Sequence, residues 1–160
     1  MEKLFLPVLL FILALLFSCS RDDGPAKTDE DYLKGTWTIK EAKTYHYLNG
    51  ELDKIKDTIF KEPYATLDFG SNKDVTYSTY HYTNPISGKW ALNEKEKVLT
   101  TNLKIELSSS SGYGTIYFFP ENRIMLVNDS ELILKSPMSG EATRSNGDKF
   151  QSYVETYLEK

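Results

Sequence analysis

The chain has a single cysteine in 160 residues, Cys19, so no internal disulfide can brace its fold. Histidine is almost lacking: His46 and His81 are the only two. No block of one charge sign occurs, and 19 basic against 23 acidic residues leave a net charge of −4. That balance excludes the basic footprint of a nucleic-acid binder. The one long apolar run, residues 4–17, is broken by Pro7. A spanning helix needs about 20 apolar residues to cross roughly 30 Å of hydrocarbon, so this run is too short to stay in a bilayer. Long stretches of helical period between the strand-like segments are also missing, which excludes a parallel α/β sheet with crossover helices.

What is present begins with an address. Met-Glu-Lys, the apolar run and the small residues Ser18-Cys19-Ser20 read as a secretory signal over 1–18. Leu16-Phe17-Ser18-Cys19 resembles the lipobox of bacterial lipoproteins, with an aliphatic residue three before the cysteine and a small one directly before it; Phe17 is bulkier than the commonest residue at its place. The resemblance implies cleavage before Cys19 and acylation of that residue, which suits a thiol with no disulfide partner. One acyl chain, at roughly 0.8 kcal/mol per buried CH₂, binds a membrane marginally, whereas two or three hold firmly. Residues 19–31 are polar and acidic with Gly24 and Pro25, and read as a flexible tether. Asp22-Asp23 resembles the surface-export signals of lipoproteins in one group of Gram-negative bacteria. The expected location is therefore the outer membrane, by a lipid anchor and at the cell surface, with the periplasmic face as the alternative.

Removing residues 1–18 takes away Glu2 and Lys3, so the mature net charge stays at −4. Residues 32–160 suffice for one domain with a real core and are too few for two. An aromatic share of 13%, with 11 Tyr and 8 Phe, favours strands. Residues 36–47 alternate, with Trp37, Ile39, Tyr45 and Tyr47 at one parity, and Asn49-Gly50 follows as a hairpin signal. Further strands are expected over 52–60, 64–69, 75–82, 89–92, 98–107, 114–119, 123–127 and 131–135, with a serine-glycine loop at 108–112. A meander of eight or nine strands hides its edges most simply as an all-β, up-and-down antiparallel barrel of about eight strands. At the end, Phe150, Tyr153, Val154, Tyr157 and Leu158 fall on one face of a helix, so a C-terminal α-helix is expected over about 148–159, capped by Asn146 or Asp148.

Gly35-Thr36-Trp37 at the first strand resembles the Gly-x-Trp signature of lipocalins and the opening of the small lipocalin-like domains of bacterial lipoproteins. Residues 87–92 (Ser-Gly-Lys-Trp-Ala-Leu), with Val98-Leu99-Thr100 after a turn, resemble the mid-domain hairpin of those domains, and Glu131-Leu132-Ile133-Leu134-Lys135 their closing strand. The resemblance implies that Trp37 plugs the closed end of the barrel, its N–H bonded to a neighbour, and that Gly35 lets the chain approach closely there. The other lipocalin motifs and the disulfide cysteines are not found, so the animal families' ligands do not transfer.

Few residues carry chemistry. His46 and His81 each stand between two tyrosines, and strand alternation turns each imidazole away from its neighbours' rings; without metal-ligand spacing no metal site is assigned. Ser108 to Ser111 have no adjacent base, and no helix follows Gly112-Tyr113-Gly114 to make a phosphate cradle. Asp57-Thr58-Ile59 matches a short O-glycosylation motif of some Gram-negative envelope proteins. Neither catalysis nor a cofactor is expected. Tyr45, Tyr47, Tyr77 and Trp90 are the candidate ligand-lining residues, since rings with polar tips suit an amphipathic ligand, or equally a barrel filled by its own side chains. The function expected is a lipid-anchored binding module for a small apolar or amphipathic molecule; the alternative is a filled barrel that contacts another envelope protein.

Replacing Cys19 with Ser is expected to leave an uncleaved precursor without lipid. Palmitate labelling and membrane fractionation check this, and a Cys19→Ser protein that still took up label would remove the anchor from Cys19.

Overall fold

A computed structural model describes residues 26–60, 64–80, 82–109 and 112–160. Cys19, the residues expected to form a signal, most of the expected tether and His81 lie outside the described residues. The chain enters through a short helix, α1 (Asp29–Leu33), and continues through β1 (Gly35–Leu48), β2 (Glu51–Ile59), β3 (Ala65–Phe69), β4 (Asp74–Thr79), β5 (Ile86–Asn93), β6 (Val98–Thr101), β7 (Lys104–Ser109), β8 (Gly112–Tyr117), β9 (Glu121–Val127), β10 (Glu131–Lys135), β11 (Ala142–Thr143) and β12 (Lys149–Glu159). Eight strands form a closed antiparallel barrel in the order β1-β3-β4-β5-β6-β9-β10-β12, with β12 returning to β1. β2 and β11 extend the outer edges of β1 and β12, and β7-β8 is a hairpin that pairs with no other strand among the described residues.

The core follows from alternation. Ala65, Leu67 and Phe69 of β3, Val75 and Tyr77 of β4, Leu99 of β6, Ile124 of β9, Leu132 and Leu134 of β10 and Leu158 of β12 all point inward and are buried. Burying each large apolar side chain gains about 1.5–3 kcal/mol, so this inner wall is the principal favourable term. The β1–β2 turn uses Asn49 at φ 52 and Gly50 at φ 87, the left-handed pair that a two-residue hairpin requires.

The expected C-terminal helix is corrected: residues Lys149–Glu159 form a strand, β12. Spacing of i, i+3 and i+4 describes one face of a helix, but Phe, Tyr, Val and Thr also make a good strand when both faces are partly buried. Here Leu158 fills the core from one face while Tyr153 packs on the other, and the strand covers the edges of β1 and β10 together. The strand expected over 98–107 divides as well. The Asn102 side chain accepts the Lys89 backbone N–H at 2.6 Å and Leu103 turns fully into the core, so the chain leaves the barrel and runs on as the β7-β8 hairpin. Gly88 allows this approach, because a Cβ there would stand 2.5 Å from Asn102 Oδ1.

One end of the barrel is shut. Trp37 is fully buried and donates its indole N–H to the Leu33 carbonyl at 2.7 Å; Leu33 is itself fully buried. Gly35, at φ 110, makes the turn from α1 into β1 in a conformation that a side chain would strain. Residues 29–31, at the end of the segment expected to be a tether, are already helical. Thr28 and Asp31 cap each other there, and the backbone bond from Thr28, with Lys34 beside it, lowers the Asp31 carboxyl to about 2. Ion pairs strap this segment to three turns: Asp29 to Lys97, Glu30 to Lys73, and Lys27 to Asp129. Exposed pairs contribute little individually, so the buried Leu33 and Trp37 carry most of the plug's stability.

Trp37→Ala is expected to lower stability by about 3–5 kcal/mol, since a buried aromatic is deleted with little room for collapse. Urea unfolding followed by circular dichroism measures the shift; an unchanged midpoint would show that the indole is not packed.

Candidate functional site

The other end is open. There the barrel holds a cavity of about 480 Å³. Its walls come from Ile39 and Ala42 of β1, Phe60 and Tyr64 ahead of β3, Tyr77 of β4, Phe118 to Asn122 entering β9, Ser136 to Ser139 beyond β10, and Val154 and Thr156 of β12. Buried Leu99 and Ile124 lie deeper in the same core.

Aromatic pairs order the walls. Tyr77 stacks on Phe118 with centroids 5.1 Å apart, and Tyr82 meets the edge of Phe118 at 6.3 Å. Phe60 stacks on Tyr64 at 4.3 Å, and Tyr64 meets Tyr80 edge-on. Phe118 and Phe119 are fixed from below by Thr101, whose hydroxyl is shared between their carbonyls at 2.8 and 3.1 Å. Phe119 stands at φ 50, a left-handed conformation costly for a bulky residue, and this anchoring holds it. Burial pushes the Tyr77 phenol up. Two polar side chains are buried in the lining, Asn122 and Thr156, and Asn122 Nδ2 finds no acceptor among the described residues.

Of the four candidate ligand-lining residues, the fold places Tyr77 alone in this cavity. Trp90 is buried near the shut end, edge-on to Phe69 at 5.7 Å, its N–H donated to the Gly70 carbonyl at 3.3 Å and the Lys73 ammonium 4.1 Å above its ring. Tyr45 and Tyr47 lie on the opposite face of β1. A register shift between Ile39 and Glu41 interrupts the alternation, so Trp37 and Ile39 face inward, Ala42 lines the cavity, and the later odd-numbered residues face away from it. Tyr45 stacks there on Tyr153 at 4.6 Å and donates to Glu155 at 2.9 Å; Tyr157 donates to the same carboxylate at 3.0 Å, and Lys135 sits 3.9 Å above Tyr153. His46, on the opposite face from Tyr45 and Tyr47, stacks on Phe150 at 5.4 Å. Thr58 is exposed on β2. Among the described residues no three His, Cys, Asp or Glu side chains converge as metal ligands.

Sequence reasoning missed Phe60, Phe118, Phe119, Asn122, Val154 and Thr156. Asn122 was detectable as a polar residue at the parity of Ile124. Thr156 falls in the segment whose spacing predicts a helix, and only its place on β12 turns it inward. A second hollow, of about 520 Å³, lies among Glu96, Glu121, Arg123 and Lys135. Its charged side chains would hold water rather than an apolar ligand, so the mouth of the barrel is the better site. Comparison with family models, with curated proteins and with solved structures finds no match.

The Glu155 hydrogen bond, then burial, raise the Tyr45 phenol to about 12. A raised folded value favours the neutral phenol, so the stability this adds is present below pH 10 and lost as pH rises through about 12. Ultraviolet titration is expected to record a phenol ionising near pH 12 that falls toward 10 in Glu155→Gln. A Tyr45 that titrated with the exposed tyrosines would remove the contact.

Proposed function

We propose that this is a lipid-anchored envelope lipoprotein whose lipocalin-like barrel takes one small apolar or amphipathic molecule into its open end and does not transform it. The cavity of about 480 Å³, open beside Tyr77 and Phe118, carries the reading. Its size falls in the range of small-molecule sites, and its walls are largely aromatic and aliphatic. The signal segment, the lipobox-like Leu16-Phe17-Ser18-Cys19 and the acidic Asp22-Asp23 support anchorage at the outer membrane, at the cell surface or on its periplasmic face. Residues 26–33, the described part of the chain nearest Cys19, meet the barrel at its shut end, so an anchor on Cys19 would leave the mouth open to ligands arriving through water.

One observation favours a second reading, an interaction module that contacts another envelope component. Every residue of β2 is exposed, including Leu52, Ile55 and Ile59, and its outer edge pairs with no strand among the described residues. Edge strands of this kind can pair with another chain, although the flanking Glu51, Asp53, Lys54, Lys56 and Asp57 oppose indiscriminate pairing.

Native mass spectrometry of the protein from its own host is expected to detect a retained small molecule. Ala42→Trp, which fills the mouth, is expected to weaken binding of the neutral probe N-phenyl-1-naphthylamine by about tenfold or more. Equal binding by a folded Ala42→Trp would place the probe elsewhere and favour the interaction module.

A further inference from the structure

We infer that the cavity selects uncharged molecules carrying a hydrogen-bond acceptor, and that Asn122 is the residue that reads it. The inference rests on the binding function proposed above and names its ligand class.

Asn122 occupies an inward position of β9 between exposed Glu121 and exposed Arg123, paired across the sheet with Leu99. Alternation would place an apolar side chain here, as it does at Ile124. Instead a carboxamide 4% exposed lines the cavity, with its Nδ2 lacking any acceptor among the described residues. A buried donor left without a partner is costly, and the packed half of the core supplies none. Nδ2 itself is enclosed, but its residue lines the cavity, so a turn about χ2 is what brings the donor to that space. A ligand oxygen seated against Asn122 would satisfy the donor, and the χ2 torsion of an amide is soft enough to follow it.

Charge decides which oxygen. No Arg, Lys or His is found among the described lining residues, and the single carboxylate there, Glu121, repels an anion. A buried carboxylate or phosphate would lose its hydration without gaining a counterion. A ketone, ester, amide or hydroxyl accepts the same hydrogen bond without that loss. The aromatic walls at Tyr77, Phe118 and Phe60 receive the remainder of the molecule. The ligand is thus a neutral, largely apolar compound inserted acceptor-first, rather than a free fatty acid or a phosphorylated lipid.

Three compounds of matched skeleton test this on the full chain by ligand-observed NMR, with the protein-free membrane mimetic as blank: 4-phenyl-2-butanone, 4-phenylbutanoate and butylbenzene. The ketone is expected to bind about fivefold or more tighter than either of the others. In Asn122→Leu the ratio of ketone to butylbenzene affinity should fall to about one or below, and the variant should melt no lower, since an unsatisfied donor is gone; Asn122→Ala gives the same ratio if the leucine does not fit. A ketone preference that survives both substitutions, or 4-phenylbutanoate binding as tightly as the ketone, would overturn the selection by Asn122 and leave the cavity as a binding site. Failure of all three to bind would remove both.

Discussion

Residues 155–159 of β12 are hydrogen-bonded on both edges, to β10 on one side and to β1 on the other, and the rest of the molecule depends on that double pairing. Without it β1 and β10 would be open edges and the inner faces of eight strands would lie along a curved sheet rather than around an enclosed space. Closure lets Trp37, Leu67, Leu99, Leu132 and Leu158, far apart in sequence, share one core. Closure also makes the unfilled end a cavity with walls on every side.

The two ends differ because the chain treats them differently. At the shut end, short turns and α1 bring side chains over the opening, and Leu33 and Trp37 fill it. At the open end β1 and β12 continue past the ring as a ribbon flanked by β2 and β11, and the chain between β6 and β9 leaves as the β7-β8 hairpin. The backbone that could have crossed the mouth is spent on these extensions. The interior is consequently solid in one half and hollow in the other, and Asn122 and Thr156 stand where the two meet.

The ribbon has its own packing. Tyr45, Tyr47 and Tyr153, with Tyr157 sharing Glu155, form an aromatic layer on the outer face, separate from the barrel core. Polar tips on large rings suit that position, since the ring bodies cover one another while the hydroxyls reach a carboxylate or water. The tyrosines that made a ligand mouth attractive from sequence therefore serve two faces, with Tyr77 inside and the Tyr45 group outside.

The existence of a strand over residues 36–47, the Asn49-Gly50 turn and the 131–135 strand were legible in the sequence, because strand-forming composition and the φ demands of a tight turn are local. So was the all-β class, which follows from the aromatic and β-branched composition. Tertiary structure alone decided three things. It made 149–159 a strand, since a helical spacing of apolar residues also fits a strand buried on both faces. It turned Tyr45 and Tyr47 outward, since a single register shift after Ile39 reverses every later side chain without leaving a mark in the pattern. And it left one end of the barrel hollow, since the volume unfilled inside a closed ring is set by all eight strands at once and by no one of them.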